Sequence, residues 1–182
     1  MIDIKKRENY TRVTKILYPF SGLEKVPQEV VTNAGIRGTK VHKICEGIIS
    51  GLGEIGVDAE THGYVESFKK WWGDGHFVRA MEERFYDDDL EITGALDLII
   101  DTPDGIAIVD LKTSYAPSKT WTVQGNAYAY LAKKNNYDIK KIQFLHLNKL
   151  GKEPNIYDYP VDPSLFLAVY QSWKHFFKEG SK

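Results

Sequence analysis

Two aspartates thirteen positions apart, each on a predicted β-strand, constrain this chain more than any other feature of its sequence. The first ends the run Gly94-Ala95-Leu96-Asp97, and the second begins the triplet Asp110-Leu111-Lys112. Two carboxylates crowded beside an ammonium on one edge of a small sheet are costly to keep charged. Such a set is typical of a site where a divalent metal ion lies between the carboxylates and an anionic substrate lies beside the lysine.

The residues around the second aspartate indicate a β-hairpin. Two stretches, Leu90–Asp101 and Ile106–Lys112, are rich in β-branched and aliphatic side chains, which favour strands. The turn between them has Pro103 at its second position and Gly105 at its fourth, as a type I turn prefers. The sequence therefore predicts two antiparallel strands joined by a tight turn.

The pairing register of this hairpin decides whether the two aspartates can act together. If Asp101 pairs with Ile106, then Asp97 lies directly opposite Asp110 on the same face of the sheet. A bulge at Gly105 would shift the pairing by one residue and put the two carboxylates on opposite faces. The sequence alone leaves both registers open. A metal site requires the first register, or a compensating bulge elsewhere in the strands.

The composition predicts a folded domain and argues against several other classes of protein. Hydrophobic residues make up 42% of the 182 residues, enough for one domain, 1–182, with a core of ordinary size. The net charge of −1 provides no global basic field, so a nucleic-acid surface must be a local patch or carry charge from a metal. One cysteine, Cys45, excludes an internal disulfide and any multi-cysteine metal site.

The sequence also lacks the usual signals of a membrane or exported protein. No apolar run approaches the roughly 20 residues that a membrane-spanning helix needs. The start of the chain, which includes Lys5, Lys6 and Arg7, has no apolar stretch of the kind found in secretory signals. We therefore expect a cytoplasmic protein without membrane contact.

The hydrophobic periodicity predicts a mixed α/β fold (α+β mixed), in which helices flank a small mixed β-sheet. The predicted helices are Arg37–Ile49, Ala59–Trp72, Ser118–Lys134 and a last helix that Asp162 caps, Pro163 begins and Gly180 ends. The predicted strands outside the hairpin are His76–Tyr86, Ile142–Asn148 and Asn155–Tyr159. The segment before the first helix is predicted to be irregular, apart from a short apolar piece over 13–18.

Two of the predicted helices carry polar side chains at helical spacing. His42 follows a Gly38-Thr39 pair on the first helix, one turn before Glu46. Gln124 and Tyr128 are four positions apart on the helix after the hairpin, so they share a face. In chain order the motifs are Gly-Thr-x-x-His, Gly-x-x-Asp, Asp-x-Lys-Thr and Gln-x-x-x-Tyr.

This series of motifs resembles the PD-(D/E)xK nuclease superfamily, and within it the RecB-like branch that includes lambda-exonuclease-type and CRISPR-adaptation nucleases. The resemblance extends from about Val13 to Tyr130 and implies a restriction-endonuclease-like core. Asp-x-Lys alone is a weak signal, whereas four motifs in order on the predicted elements are a strong one. Some members of the branch hold an iron–sulfur cluster with four cysteines, which the lone Cys45 excludes here.

The resemblance implies a role for each motif residue. The residues that resemble metal ligands are His42, Asp97, Asp110 and, through its carbonyl, Leu111. The ion would be Mg²⁺ or, because imidazole suits softer metals, Mn²⁺. Lys112 resembles the catalytic residue that positions or activates the attacking water and steadies the phosphate, and Asp97 and Asp110 are catalytic with it. The residues that resemble substrate-side or site-orienting groups are Thr113, Gln124 and Tyr128.

Taken singly, these residues also have structural interpretations. The two aspartates could be carboxylates at strand ends, His42 could be a hydrogen-bonded core histidine, and Gln124 and Tyr128 could simply pack their helix. The four motifs together favour the functional interpretation of the carboxylates and of His42.

Two further pairs of residues lie near the predicted site. Glu82 and Glu83 are candidates for an extra ligand, although the strand pattern favours a solvated face for them. Tyr115 and Trp121 follow the lysine closely, and core packing is the default interpretation for both. Stacking on a frayed base is the alternative for these two aromatic rings.

We interpret the chain as a metal-dependent DNA nuclease, with an exonuclease of recombination, repair or replication as the first hypothesis. A stand-alone phage-type or bacterial enzyme would act in the cytoplasm of a bacterial or phage-infected cell. The alternatives are a structure-specific or nicking endonuclease with the same site, and a non-catalytic DNA-binding or assembly subunit. The expected partner is DNA, and a recombination or single-strand-binding protein is a second candidate partner. The motifs specify no oligomeric state.

Overall fold

A mixed six-stranded sheet with helices packed on it forms the part of the chain that this computed structural model describes, residues 7–73 and 75–178. The helices are α1 (Val13–Leu17), α2 (Gln28–Ile49), α3 (His62–Trp72), α4 (Trp121–Lys134) and α5 (Pro163–Trp173). The strands are β1 (Thr11–Arg12), β2 (Val78–Asp87), β3 (Ile92–Thr102), β4 (Gly105–Lys112), β5 (Ile139–His146) and β6 (Asn155–Tyr159). The short 3-10 helices Tyr18–Phe20 and Leu23–Lys25 precede α2, and a π-helical turn, Lys174–Lys178, follows α5. The predicted mixed α/β class is confirmed.

The central strands separate two hydrophobic cores. On one face of β4, Ile108 belongs to a core that includes Phe166 of α5 and residues of α1 and α4. On the other face, Val109 belongs to a core with Val41 of α2 and Phe68 of α3. Because successive strand residues point to opposite faces, a nearly continuous apolar run is what a strand covered on both sides requires.

The β3–β4 hairpin has the first of the two predicted registers. Asp101 pairs with Ile106, and no bulge interrupts the ladder between these strands. Gly105 has a φ of 115°, in the region that glycine adopts without strain, which explains the glycine at this turn position. The ladder ends at the pair Leu98–Val109, so Asp97 and Asp110 are the next opposed positions.

The two neighbours that share one edge of β3 leave an opening between them. Strand β2 pairs antiparallel with β3 along one edge, over residues 92–100. The other edge pairs in parallel with β1 at Ile92 and Thr93 and antiparallel with β4 from Leu98 onward. Within the described strands, residues 94–97 have no ladder partner on this edge. Asp97 is therefore at an opening in the sheet rather than within a closed ladder.

Most element boundaries lie within three residues of the predicted ones, and the start of α2 differs most. Helix α2 begins at Gln28 instead of Arg37. Residues 28–36 are helical, but none of them is buried, so they lack the apolar pattern from which a helix is predicted. Asp162 caps α5 by accepting a hydrogen bond from the Ser164 N–H, and Pro163 is its first residue, as predicted. The predicted end of this helix, Gly180, lies outside the described residues. None of the helices in the described ranges has the length and apolar character needed to span a membrane.

Candidate active site

Asp97 and Asp110 face each other where β3 and β4 separate. Asp97 Oδ2 accepts a hydrogen bond of 2.7 Å from the backbone N–H of Leu111, in place of a ladder partner from β3. Asp110 is 2% exposed and lies on the same face of β4 as Ile108, toward α4. The hairpin register thus brings both predicted carboxylates to the opening in the sheet.

Lys112 lies on the same face of β4 as Asp110 and is directed toward its carboxylate. The Lys112 Nζ atom lies 2.5 Å from Asp110 Oδ2, without the alignment of a hydrogen bond. Within the described residues, this buried oxygen consequently has no hydrogen-bond partner. Lys112 Nζ also lies 5.2 Å from the centre of the Phe144 ring, whose face attracts a cation. The ammonium is therefore held at the site from two sides.

Helix α2 brings His42 to the carboxylates from the opposite side of the sheet. His42 Nε2 lies 3.0 Å from the Leu111 carbonyl oxygen, and Nδ1 lies 3.3 Å from Asp97 Oδ1. The side chain is 24% exposed, so it is not a core histidine. Of the predicted ligands, His42 thus contacts both Asp97 and the Leu111 carbonyl.

Gln124 and Tyr128 lie behind Asp110, on α4. The side-chain amide of Gln124 donates a hydrogen bond of 2.9 Å to Tyr128 Oη and a weaker one of 3.4 Å to Asp110 Oδ1. Both side chains are buried. A Cβ atom at Gly94 of β3 would lie 2.8 Å from the Tyr128 ring. The glycine at this position therefore leaves room for the tyrosine, which reaches β3 from α4. This geometry fits an orienting role for both residues.

Thr113 lies against α2. Its carbonyl accepts a hydrogen bond of 3.2 Å from the Arg37 guanidinium, and its side-chain oxygen would be 3.4 Å from a Cβ atom at Gly38. Thr113 is 6% exposed. Thr113 therefore joins the end of β4 to α2 next to Lys112, and its substrate-side role stays a prediction.

Glu82 is a candidate ligand that the strand pattern did not favour. Its Oε1 atom lies 3.8 Å from His42 Nδ1, and ligand atoms of His42, Glu82 and Asp97 all lie within 4.8 Å of one another. The Glu82 backbone has a φ of 49°, which is uncommon for a residue other than glycine, and Glu82 lies opposite Asp97 at a position that the β2–β3 ladder skips. The alternation of side chains along a regular strand cannot reveal Glu82 as a ligand, because its side chain is directed toward His42 by an irregular backbone.

Burial opposes the charges of Asp97, Asp110 and His42. Burial raises the pKa of Asp110 to about 6, opposed by the charge of Lys112 and assisted by that of Asp97. Burial also disfavours the charged form of Asp97, but His42 and Lys112 outweigh it and lower the pKa of this carboxyl. For His42, burial is likewise outweighed, because Asp97 and Glu82 raise its pKa well above the usual value. Without a bound cation, the negative charges of the carboxylates are therefore stabilised by His42 and Lys112.

The donor atoms fit the divalent cation that the motifs imply. The buried Asp110 Oδ2 atom is negatively charged and has the Lys112 ammonium as its ion-pair partner, without an aligned hydrogen bond among the described residues. Ligand atoms of His42, Glu82 and Asp97 lie within 4.8 Å of one another, and the imidazole nitrogen that faces the two carboxylates is Nδ1. Carboxylate and carbonyl oxygens suit Mg²⁺, and the imidazole extends the choice to Mn²⁺.

Comparison with protein families agrees with this geometry. A family model described as the PD-(D/E)XK nuclease superfamily matches residues 55–173, which is more than half of the chain. The matched range contains Asp97, Asp110 and Lys112 and begins after His42. No curated protein sequence matches the chain.

Two solved structures share the fold. The protein SSO0001 is 15% identical with a TM-score of 0.54, and the match covers 96% of this chain and 83% of that one. A protein of Eubacterium rectale, named "Putative exonuclease", is 14% identical with a TM-score of 0.55, covering 98% of this chain and 85% of that one. At such low identity these matches show the fold alone. The predicted restriction-endonuclease-like core is confirmed, while the RecB-like branch stays a prediction.

Proposed function

Because the chain belongs to the PD-(D/E)XK nuclease superfamily, we propose that it is a metal-dependent DNA nuclease that acts as an exonuclease. The observation that carries this proposal is the meeting of Asp97, Asp110 and Lys112 at one opening in the sheet. The exonuclease part is supported by the position of His42 and by the name of the Eubacterium rectale neighbour. Recombination, repair or replication is the setting that the motif resemblance implies.

The proposed roles follow from the contacts at the site. The residues that would hold the ion are His42, Asp97, Asp110 and the Leu111 carbonyl, joined by Glu82. Charge relief on the phosphate and a lowered pKa of a water molecule are the chemistry that a bound Mg²⁺ or Mn²⁺ supplies. Lys112 supplies a fixed positive charge beside the phosphate and positions the attacking water. Gln124 and Tyr128 hold the Asp110 carboxylate in place.

A digestion time course separates the proposed activity from its alternatives. Linear and covalently closed circular DNA of one sequence are incubated with the protein and Mg²⁺ or Mn²⁺, and with EDTA in place of the metal. We expect the linear DNA to be shortened only when metal is present, and the circular DNA to stay intact. Cleavage of the circle would favour the endonuclease alternative. Binding of DNA without any cleavage would favour the non-catalytic subunit.

Matched variants test whether the carboxylates carry the activity. Asp97→Ala and Asp110→Ala should each abolish hydrolysis, because these groups would hold the ion, and circular dichroism checks that Asp97→Ala keeps the fold without its hydrogen bond from Leu111. Asp104→Ala, which removes an exposed carboxylate from the β3–β4 turn, is the control and should keep the activity of the parent. If Asp97→Ala and Asp110→Ala both stay as active as the parent, the proposed metal site is wrong.

A further inference from the structure

A large groove opens beside the site just described. It lies between the segment from α1 to the first half of α2 and the loop that joins β4 to α4, residues 113–120. Lys112 and Gln124 line it, so the groove reaches the catalytic lysine. Its volume of about 1780 Å³ exceeds the roughly 300–1,000 Å³ of typical small-molecule pockets. These dimensions fit a segment of a polymer better than a small ligand.

The charges along the groove select for a polyanion. Its basic residues are Arg12, Lys15, Arg37, Lys112, Lys119 and Lys149, whereas no aspartate or glutamate is among the described residues that line it. This separation is notable in a chain whose net charge is −1. Arg37 is partly buried, and its guanidinium donates to the Thr113 carbonyl and lies 3.8 Å from Glu60, so its charge is fixed at the wall of the groove. A row of cations along a concave surface is the pattern that follows a nucleic-acid backbone.

Aromatic side chains project from the walls of the same groove. Tyr115 is 97% exposed, and Tyr18 and Phe20 on the facing wall are 44% and 43% exposed. Trp121 is different, because it is buried and stacked on Phe144 in the core. An exposed ring beside cations offers a base a surface on which to stack. In a duplex the bases are already stacked on one another, so only a single strand can use several such rings.

We propose that this groove binds single-stranded DNA and leads it to the site at Lys112. The proposal rests on the proposed nuclease function and names the form of substrate that the site receives. Tyr115 stacks on a base, while Arg37, Lys119 and Lys149 contact successive phosphates. A strand bound in this way reaches the catalytic lysine from the loop side of β4.

Binding without hydrolysis tests the stacking residue. Fluorescence anisotropy with labelled oligo(dT), in Ca²⁺ instead of Mg²⁺, gives the affinity for a single strand, and a blunt-ended duplex of equal length serves as the comparison. Tyr115→Ala should weaken single-strand binding by about fivefold or more, the effect of losing one base–aromatic stack. Phe77→Ala, which removes a ring that is 70% exposed outside the groove, should leave the affinity unchanged.

The salt dependence tests the phosphate contacts. Lys119→Ala should reduce the slope of log K against log salt by about 0.7 for a single strand, the share of one phosphate contact. Lys133→Ala, which removes an exposed lysine at the far end of α4, should leave the slope unchanged. Both positions are exposed, so neither change removes a buried contact, and circular dichroism verifies the fold.

The outcomes separate this proposal from the proposed function. Equal affinity of the parent for strand and duplex overturns the groove proposal, as does normal strand binding by both Tyr115→Ala and Lys119→Ala. Failure to bind any DNA also overturns it and would leave a protein partner as the occupant. Groove variants that bind normally while the parent digests linear DNA would refute the groove but not the nuclease. The reverse result, lost binding in the variants of an inactive parent, would support the groove and refute the nuclease.

Discussion

The charge of Asp110 should cost the metal-free protein a measurable part of its stability. Burial and the neighbouring Asp97 raise the pKa of Asp110 to about 6, despite the opposing charge of Lys112. Relative to an ordinary value of 3.8, this difference corresponds to about 3 kcal/mol at pH 7. A group whose pKa is raised on folding contributes its stability below the unfolded value and loses it as the pH rises through the folded value. The parent should therefore lose about 3 kcal/mol from this group between about pH 4 and about pH 7.

The variant Asp110→Asn should abolish this cost together with the activity. Asparagine resembles the protonated aspartic acid, and neither of these neutral groups is attracted to the charge of Lys112. The raised pKa of Asp110 already includes the attraction of the ionised carboxylate to Lys112, so no separate correction is needed. We expect the free energy of unfolding of the metal-free variant to exceed that of the parent at pH 7 by about 2–3 kcal/mol. For a chain of this length, the melting temperature would rise by roughly 4–12 °C. The gain should fade as the pH falls toward about 4, where the parent is protonated as well.

Urea unfolding followed by tryptophan fluorescence in EDTA, repeated across this pH range, measures the difference. The control is Asp104→Asn, which changes an exposed carboxylate in the same hairpin and should show no pH-dependent gain. Added Mn²⁺ should stabilise the parent and have little effect on Asp110→Asn. An Asp110→Asn variant no more stable than the parent at pH 7 would refute the argument that the carboxylate is held at a cost.

Three further predictions concern the neighbours of these carboxylates. Lys112→Ala should lower turnover by on the order of 10²-fold or more while calorimetry shows unchanged Mn²⁺ binding, and equal losses of both would make the lysine structural. Glu82→Gln should weaken Mn²⁺ binding by roughly tenfold or more with the fold intact, and unchanged affinity would remove it from the ligand set. Gly94→Ala should destabilise the protein by about 1–3 kcal/mol in urea unfolding, because its Cβ would lie 2.8 Å from the Tyr128 ring. A neutral Gly94→Ala would show that the tyrosine can move.

The hairpin could be predicted from the sequence because its turn chemistry and its strand pattern agree. Pro103 and Gly105 suit a two-residue connection, and the register with Asp101 opposite Ile106 was one of only two that they allow. The choice between the two depended on a chemical requirement, since only one register brings Asp97 opposite Asp110. Short-range signals thus predict the hairpin, and the position of the two carboxylates depends in addition on the chemistry that they share.

Other features depend on tertiary structure and leave no local signal. The first turns of α2, from Gln28, carry no buried residue, so the apolar periodicity that reveals a helix is absent there. Glu82 reaches the site through a left-handed backbone, which is a property of the folded strand pair and not of glutamate. Tyr115, in the loop before α4, is exposed, whereas Trp121, at the start of α4, is buried. The burial of Trp121 depends on its stacking on Phe144 of β5, which is a tertiary contact.

One hydrogen bond connects the site to the opening that contains it. Asp97 Oδ2 accepts the Leu111 N–H, a group that a continuing ladder would have directed to a backbone carbonyl of β3. The same residue of β4 presents its carbonyl to His42 Nε2, so one peptide segment joins both sides of the site. Because β4 leaves β3 at this point, the chain after Lys112 can turn away and form a wall of the groove. The Asp97 carboxylate, which would bind the ion, is thus also the acceptor for the Leu111 N–H that has no partner in the β3–β4 ladder.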